Sequence, residues 1–256
     1  MRNDKVEIYS DINVGLKRSN NEDQAGVLNL SDYQVLLIAD GMGGHLKGEV
    51  ASDIVKTIVL DLLANEDKPR SIREAKRNIK HIIKKANSQI YRLSSSKDEY
   101  YGMGTTLVLA MVLDEETIIV NCGDSRAYAY LKSDNSLRQI TVDQTCVEYL
   151  YELGAISKEE MLTHPKRHVL MNALGIGPSV SCDFTIVDNS SYDILFLCSD
   201  GYSNMVNENQ TIELLKKNER ADAKTLTDIL IAKAIENGGV DNISISLLEV
   251  KRNENK

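Results

Sequence analysis

Proline, cysteine and long apolar runs are all scarce in this chain of 256 residues. Its three prolines (Pro69, Pro165 and Pro178) are scattered, and no repeat or low-complexity stretch marks a linker. No apolar run approaches the roughly 18 residues of a membrane span, and the N-terminal stretch MRNDKVEIYSD lacks the apolar segment of a signal peptide. We therefore expect one continuous domain, no membrane as a partner and a cytoplasmic location.

The four cysteines have no C-x-x-C or Cys/His spacing that would indicate a zinc site. Cys122 and Cys198 lie inside apolar runs, so we expect both to be buried free thiols. A chain of this length can bury a substantial core without disulfides or structural metal.

Basic residues are also too few for a nucleic-acid binder. The chain has 38 acidic and 30 basic side chains, a formal net charge of −8. Duplex nucleic acid and anionic lipid surfaces both require a basic field, so both are disfavoured as partners. The hydrophobic share of 42% and the charged share of 27% are those of an ordinary globular protein.

The sequence does contain regular apolar periodicity. The run VLLIA at 35–39 predicts a buried strand, and apolar residues repeated every four positions predict a helix over 47–64. Ser71 and Glu74 form an S-x-x-E capping box that predicts the start of a second helix, with basic residues along its outer face. That face could dock an acidic partner, but a solvated surface is the simpler interpretation.

The rest of the chain alternates short apolar runs with helical segments. Strands are predicted at 105–113, 117–122, 126–131, 184–187, 194–198 and 242–250, and helices at 144–153, 157–162, 210–217 and 224–236. Connections as short as those between the runs at 105–131 predict antiparallel hairpins. Strands with helices grouped between them predict an α+β fold.

Four aspartates share one context in the sequence. Asp40, Asp124, Asp200 and Asp241 each stand where an apolar strand run meets a turn, and three of them adjoin glycine. Any one of them alone is most simply a turn former or a helix cap. Four carboxylates that converged at strand ends would repel each other unless a cation neutralised them, and an all-oxygen site selects magnesium or manganese.

Glycines and one arginine extend this set. The glycine-rich segment DGMGGH at 40–45 lets the main chain approach a metal ion or a phosphate closely, yet it fits neither the dinucleotide-binding nor the P-loop pattern. Upstream, Arg18 has the side chain best shaped for bidentate phosphate contact, and Glu22 and Asp23 add carboxylates. Together these residues indicate metal-assisted phosphoester hydrolysis.

The motifs occur in the order of a known family. They are SDINVGLKRSNNEDQ, LLIADGMGGHLKGEVAS, GMGTTLV, VNCGDSRAY, ITVDQT, HPKRHVLMNALG, LFLCSDGYSNMV and GGVDNISISLL. With them the chain resembles the metal-dependent serine/threonine protein phosphatases of the 2C type, in their compact bacterial form. The resemblance implies a four-layer α-β-β-α sandwich with two central antiparallel sheets flanked by helices. It also implies one catalytic domain over residues 1–250 with a flap at about 145–174, followed by a polar tail at 251–256.

The resemblance further implies a set of metal ligands. Two divalent ions, manganese or magnesium, would bind, and bacterial members have a third site. The implied ligands are Asp40 as the bridge, Asp200 and Asp241 for one ion, Glu22 and the Gly41 carbonyl for the other, and Asp124 with Asp200 for the third.

The remaining roles implied by the resemblance concern substrate and water. Arg18 would hold the substrate phosphate, and Asp23 would orient a bound water. Arg18, Asp23 and Asp40 are thus the implied catalytic residues, and Asn242 would shape the turn at Asp241. Attack by water would require no covalent phosphoenzyme.

Two positions depart from the family pattern. Some members have histidine directly after Asp-Gly, where it is thought to protonate the leaving oxygen, but Met42 stands there and cannot donate a proton. We interpret His45 as a helix-start packing residue and assign the proton to water at the metal site. The flap entrance often reads Asp-His and here reads Asp143-Gln144, which leaves the behaviour of the flap open but changes no metal ligand.

The resemblance implies an enzyme that removes phosphate from phosphoserine and phosphothreonine in proteins, opposes a bacterial Ser/Thr kinase and works as a monomer. One alternative is a degenerate phosphatase fold that serves as a regulatory or binding module, although such a module would be expected to lose metal ligands that this chain keeps. Another is a related phosphatase that acts on a regulator protein in a partner-switching pathway, which the lack of an appended sensor domain mildly disfavours.

Overall fold

A computed structural model gives the structure of residues 5–43, 47–96 and 98–252. Within these ranges the strands are β1 (Lys5–Asn13), β2 (Asp23–Asn29), β3 (Gln34–Met42), β4 (Gly104–Thr105), β5 (Leu107–Val112), β6 (Glu116–Cys122), β7 (Arg126–Leu131), β8 (Ser136–Gln139), β9 (Asp183–Asp188), β10 (Ile194–Cys198) and β11 (Ile243–Lys251). The α-helices are α1 (Lys47–Ala64), α2 (Ile72–Ser96), α3 (Cys146–Glu152), α4 (Lys158–Thr163), α5 (Asp200–Ser203), α6 (Glu208–Lys217) and α7 (Ala223–Glu236). His45, interpreted above as a helix-start residue, lies outside the described residues.

The strands form two antiparallel sheets. One has the strand order β1-β11-β10-β7-β8, and the other has the order β2-β3-β5-β6-β9, with β4 added beside β3. Short connections such as the one between β5 and β6 close hairpins, as their length predicted. None of the helices in the described ranges is long and apolar enough to cross a membrane.

Apolar side chains pack in three layers around these sheets. The first core lies between the second sheet and helices α1 and α2, the next lies between the two sheets, and the last lies between the first sheet and helices α5 to α7. The predicted α+β fold with a four-layer α-β-β-α arrangement is therefore confirmed.

Strand β3 shows how one strand serves two cores. Val35 and Leu37 face the helix side, whereas Leu36 and Ile38 face the space between the sheets. Because successive residues of a strand point to opposite faces, Asp40 continues the row of Leu36 and Ile38. The inter-sheet core therefore ends in a carboxylate.

Helix and strand bounds agree with prediction where apolar periodicity is unbroken. The predicted segments 47–64, 126–131 and 194–198 coincide with α1, β7 and β10. Strands β1, β2 and β8 and the one-turn helix α5 were not predicted. Strand β2 reads DQAGVLN and β8 reads SLRQ, so neither has enough apolar residues to display an alternating pattern.

Two strand predictions are corrected by the structure. Strand β3 does not end before Asp40 but continues to Met42, because β4 pairs with its last two residues. The single strand predicted at 105–113 is two strands, β4 and β5, interrupted at Thr106. Because the strand is interrupted here, Thr106 forms hydrogen bonds with both the amide and the carbonyl of Asp40.

The capping box before α2 forms only in part. The Ser71 hydroxyl accepts a hydrogen bond from the Glu74 amide at 3.2 Å, as predicted. The Glu74 carboxylate accepts from the Arg70 amide at 2.9 Å and not from that of Ser71. The box at Ser157 and Glu160 before α4 is complete in both directions.

The polar tail was predicted to begin at residue 251, but the chain is still part of the folded domain there. Lys251 is the last residue of β11 and pairs with Lys5 of β1. Arg252 donates to Asp193 at 2.7 Å and to the Tyr192 carbonyl at 2.7 Å. Both residues belong to the folded part of the chain.

Strand β3 and helix α1 approach each other through two glycines. A Cβ atom on Gly48 would lie 2.6 Å from the carbonyl carbon of Gly41, and one on Gly41 would collide with the backbone of Gly48. Both obstacles are main chain, which cannot rotate away. This contact sets the position of α1 beside Asp40.

We expect the substitution Gly48→Ala to lower the free energy of unfolding by about 1–3 kcal/mol, despite the higher helix propensity of alanine, because the added methyl must displace β3. Gly177→Ala is the matched control, since a Cβ there would lie 3.5 Å from its nearest neighbour, the Ser179 carbonyl oxygen. Its expected change is within ~0.5 kcal/mol. Urea denaturation measures both, and equal stability of the two variants would contradict the tight contact.

Candidate active site

Asp23 and Asp40 face each other across strands β2 and β3 at the end of the inter-sheet core. Directly opposite residues of an antiparallel pair have Cβ atoms about 4.5–5.5 Å apart, so the two carboxyl groups are neighbours. Burial, reinforced by Asp23 and Asp200, raises the pKa of Asp40 well above its ordinary range. Burial also raises the pKa of Asp23 to about 7, although the hydroxyls of Ser199 and Ser244 lower it in part.

Two threonines fix the backbone of Asp40. The Asp40 amide donates to Thr106 Oγ1 at 3.0 Å, and its carbonyl accepts from the Thr106 amide at 2.8 Å and from Thr105 Oγ1 at 2.9 Å. Thr106 Oγ1 also lies 2.7 Å from Ser125 Oγ in the turn that carries Asp124. Both threonines belong to the motif GMGTTLV, but the sequence alone indicates no role for them.

Asp200 and Asp124 both lie close enough to Asp40 to raise its pKa, after burial and Asp23. Asp200 is the first residue of α5, and burial, followed by Asp241, raises its pKa while a hydrogen bond with Asp40 lowers it. Asp124 follows β6, and burial, followed by the charge of Asp200, raises its pKa to about 7. Asn204 donates to Asp200 Oδ2 at 3.1 Å and orients that carboxylate.

Arg18 and Asp241 form a bidentate ion pair at the edge of the cluster. Arg18 Nε lies 2.9 Å from Asp241 Oδ1, and one terminal nitrogen donates to Oδ2 at 3.0 Å. Half of the arginine side chain remains exposed. The structure thus brings the predicted phosphate-binding arginine to a predicted metal ligand.

Asn242 holds two segments together. The backbone amide of Asn242 donates to Asp241 Oδ1 at 2.8 Å, as expected for a residue that shapes this turn. Its side chain does more, because Oδ1 accepts from the Glu22 amide at 2.8 Å and Nδ2 donates to the carbonyls of Val14 and Asn20. This second function, which the sequence did not indicate, places the loop of Glu22 beside Asp241.

Glu22 is fixed by the start of α1. The Gly48 amide donates to its carboxylate, and its carbonyl accepts from Ser52 Oγ at 2.6 Å and from the Gly41 amide at 3.1 Å. Burial raises the pKa of Glu22 above its ordinary value. The predicted ligands Glu22 and Gly41 are therefore adjacent through the backbone.

The donor set fits hard divalent ions. All predicted ligands are oxygen atoms, and Asp23 Oδ2 is buried without a hydrogen-bond partner. The carboxylates raise each other's pKa, a repulsion that a bound cation would offset. Among the described residues, no group of three or more acidic, histidine or cysteine side chains is arranged closely enough to hold one ion. Oxygen donors such as these are nevertheless the ligands that magnesium and manganese prefer.

The predicted flap segment is attached to the turn of Asp124 by Gln144. The Gly123 amide donates to Gln144 Oε1 at 2.9 Å, and Gln144 Nε2 donates to Asp183 Oδ2 at 2.6 Å. The preceding Asp143 pairs with Arg126 at 2.7 Å. Both residues of the altered flap entrance therefore have defined partners.

His168 connects the flap segment to the carboxylates. It is exposed, and its charge lowers the pKa of Asp200, whose rise is dominated by burial. Nothing in the sequence indicates a role for His168, since only the fold brings it close to Asp200.

The raised pKa of Asp23 predicts how stability depends on pH when a chelator is present. In the unfolded chain Asp23 ionises near its ordinary value of 3.8, whereas in the folded protein it stays neutral up to about 7. The unfolded state therefore binds fewer protons between these values, and the free energy of unfolding falls as pH rises through this range. We expect Asp23→Asn to reduce this fall by roughly 1–3 kcal/mol.

Asp61→Asn, at an exposed position of α1, is the control and should retain the wild-type decline. Urea denaturation in EDTA at pH values from 4 to 8, at about constant ionic strength, measures the difference. A decline in Asp23→Asn as steep as in the wild type would show that Asp23 is not neutral in the folded protein.

A model of the protein phosphatase 2C family matches residues 16–230. The serine/threonine phosphatase stp of Listeria welshimeri is 38% identical over 236 residues, which are 92% of this chain and 92% of that protein. The crystal structure of Stp1 from Staphylococcus aureus superposes with a TM-score of 0.88 and 34% identity, over 96% of this chain and 95% of that one. That of the PstP catalytic domain in complex with two manganese ions has a TM-score of 0.80 and 30% identity, over 96% and 98%. This chain therefore belongs to the protein phosphatase 2C family and is a serine/threonine protein phosphatase.

Proposed function

We propose that this phosphatase uses divalent manganese or magnesium, two ions at the carboxylate cluster and a third beside Asp124, to hydrolyse phosphoserine and phosphothreonine in proteins. The observation that carries the proposal is the convergence of buried carboxylates with raised pKa values beside a half-exposed arginine. The two manganese ions in the related PstP structure support the choice of metal. A degenerate binding module is disfavoured, because it would have no need for carboxylates that repel each other.

The proposed ligands are those that the family resemblance implies, and their side chains lie near one another. Asp40 would serve both ions of the pair, Asp200 and Asp241 would serve one of them, Glu22 and the Gly41 carbonyl would serve the other, and Asp124 with Asp200 would hold the third. Ions bound there would lower the pKa of water to near neutrality and so supply hydroxide as the nucleophile.

The chain itself provides orientation and charge. Asp23 is buried beside Asp40 and has an unpartnered oxygen, so it can accept a hydrogen bond from the attacking water and hold its orientation. Arg18 has a planar guanidinium that matches two phosphoryl oxygens, and its ion pair with Asp241 keeps it at the edge of the cluster. Charge that develops on the phosphoryl group is stabilised by the same guanidinium.

The surrounding chain would control access. Residues 1–250 would act as one catalytic domain, and segment 145–174, which is attached at Gln144, would act as the flap over the substrate. Phosphorylated proteins are the substrates, and the enzyme would work as a cytoplasmic monomer that opposes a Ser/Thr kinase. The acidic balance of −8 agrees with the absence of a nucleic-acid partner from the proposal.

The leaving oxygen would receive its proton from water, since Met42 at the end of β3 has no proton to donate. We expect Met42→His to raise turnover of a phosphothreonine peptide by less than ~10-fold at neutral pH, with Met42→Leu as the control for packing. Steady-state phosphate release measures both. An increase of about 10²–10⁴-fold, the usual contribution of a positioned acid, would contradict this assignment.

Phosphate release from a phosphothreonine peptide tests the proposal itself. We expect activity with manganese, its loss in EDTA, and a decrease of at least ~100-fold in Asp200→Ala, because a ligand of two proposed ions is removed. Asp228→Ala, an exposed member of an ion pair on α7, should keep wild-type activity.

A calorimetric titration of the same variants with manganese separates metal binding from catalysis. Weaker manganese binding by Asp200→Ala than by Asp228→Ala is the expected result. Equal phosphate release in manganese, in EDTA and in Asp200→Ala would reject metal-dependent hydrolysis and favour the binding module.

A further inference from the structure

Two cysteines lie opposite each other where β6 and β9 meet. The register of this antiparallel pair ends with Asn121 opposite Asp183, so the adjacent residues are Cys122 and Cys182. Both pack against the same apolar core, and each thiol is close enough to shift the pKa of the other. The sequence did not indicate this contact, because 60 positions separate Cys122 from Cys182.

The two thiols differ in accessibility. Cys122 is buried, as its apolar context predicted, whereas Cys182 is only partly buried. The Cys122 thiol lowers the pKa of Cys182, and burial opposes this effect in part. The more accessible thiol is therefore also the one more easily converted to a thiolate, the form that reacts with oxidants.

The backbone geometry is suitable for a covalent bond. Cys122 and Cys182 lie one position beyond Asn121 and Asp183, the last pair of the β6–β9 ladder. Cα atoms of opposite residues within such a ladder are about 4.5–5.5 Å apart, and disulfides span Cα separations of about 4.4–6.8 Å. A bond between these sulfurs would therefore require little movement of either strand.

We propose that Cys122 and Cys182 are an oxidation site at which a peroxide forms a cross-strand disulfide. The Cys182 thiolate attacks one peroxide oxygen, the O–O bond breaks, and a sulfenic acid and one water result after proton transfer. Cys122 then loses its proton and attacks the sulfenic sulfur, the S–O bond breaks, and hydroxide leaves as a second water. Two thiols and one peroxide thus give one disulfide and two waters, with two electrons passing from sulfur to oxygen.

The bond would form next to the attachment point of the flap. Gly123, which follows Cys122, donates to Gln144, and Gln144 in turn donates to Asp183, which follows Cys182. A disulfide would therefore join the two residues that directly precede those that the Gln144 side chain contacts. It would cross-link β6 to the start of β9, next to Gln144 at the entrance of the proposed flap.

Counting free thiols after treatment with hydrogen peroxide tests this proposal without reference to phosphatase activity. The denatured wild-type chain has four cysteines to alkylate. After oxidation we expect two, an intact mass lower by two hydrogen atoms before alkylation, and a tryptic peptide pair joined through Cys122 and Cys182. A thiol reductant should restore all four.

Cys146→Ser is the matched control, since Cys146 belongs to α3 and to neither of the two strands, and its free thiols should fall from three to one. Cys182→Ser should keep all three of its thiols. The peptide map of the wild type needs no variant, so poor folding of a variant cannot obscure the result. Oxygen atoms added to Cys182 while Cys122 stays alkylatable, a disulfide through Cys146, or no loss of thiols would each overturn the proposal.

Discussion

The burial of Asp23 and Asp40 side by side is the constraint on which the catalytic end of this protein depends. The two residues face each other across β2 and β3 at the point where the apolar rows of the inter-sheet core stop. Burial disfavours the charged form of both carboxyl groups, and Asp23, Asp200 and Asp124 further disfavour it at Asp40. Ionising these groups without a cation destabilises the fold, so other contacts must hold them in place, and the resulting site is suited to divalent cations.

Backbone contacts from distant segments of the chain hold the carboxylates in place. Thr105 and Thr106 bind both sides of the Asp40 peptide, and Asn242 binds the loop of Glu22 to the turn of Asp241. Gly48 lets α1 come close enough to donate its amide to Glu22. None of these contacts relies on the carboxylate oxygens of Asp40, so the backbone is fixed while the oxygens remain available to an ion.

The carboxylates could be identified from the sequence, but the residues that position them could not. The four-residue periodicity of α1 and the continuous apolar runs of β7 and β10 are local properties, so their bounds could be predicted. The aspartates were identified because all four share one local context. Thr106 looked like an ordinary strand residue, and its role depends on a strand break and on Asp40, 66 positions away, which only the folded chain reveals.

The turn between β6 and β7 connects the proposed metal ligands to the proposed flap. Ser125 contacts Thr106, which holds Asp40, while Gly123 is held by Gln144 at the flap entrance, so Asp124 lies between two fixed points. The uncharged side-chain amide of Gln144 accepts hydrogen bonds from the Gly123 amide and from Asn172 Nδ2, and it donates one to Asp183. A histidine at this position would gain or lose a proton near neutral pH, and the hydrogen bonds of its ring would change with it. With glutamine, the side chain that attaches the proposed flap keeps the same donors and acceptors through neutral pH.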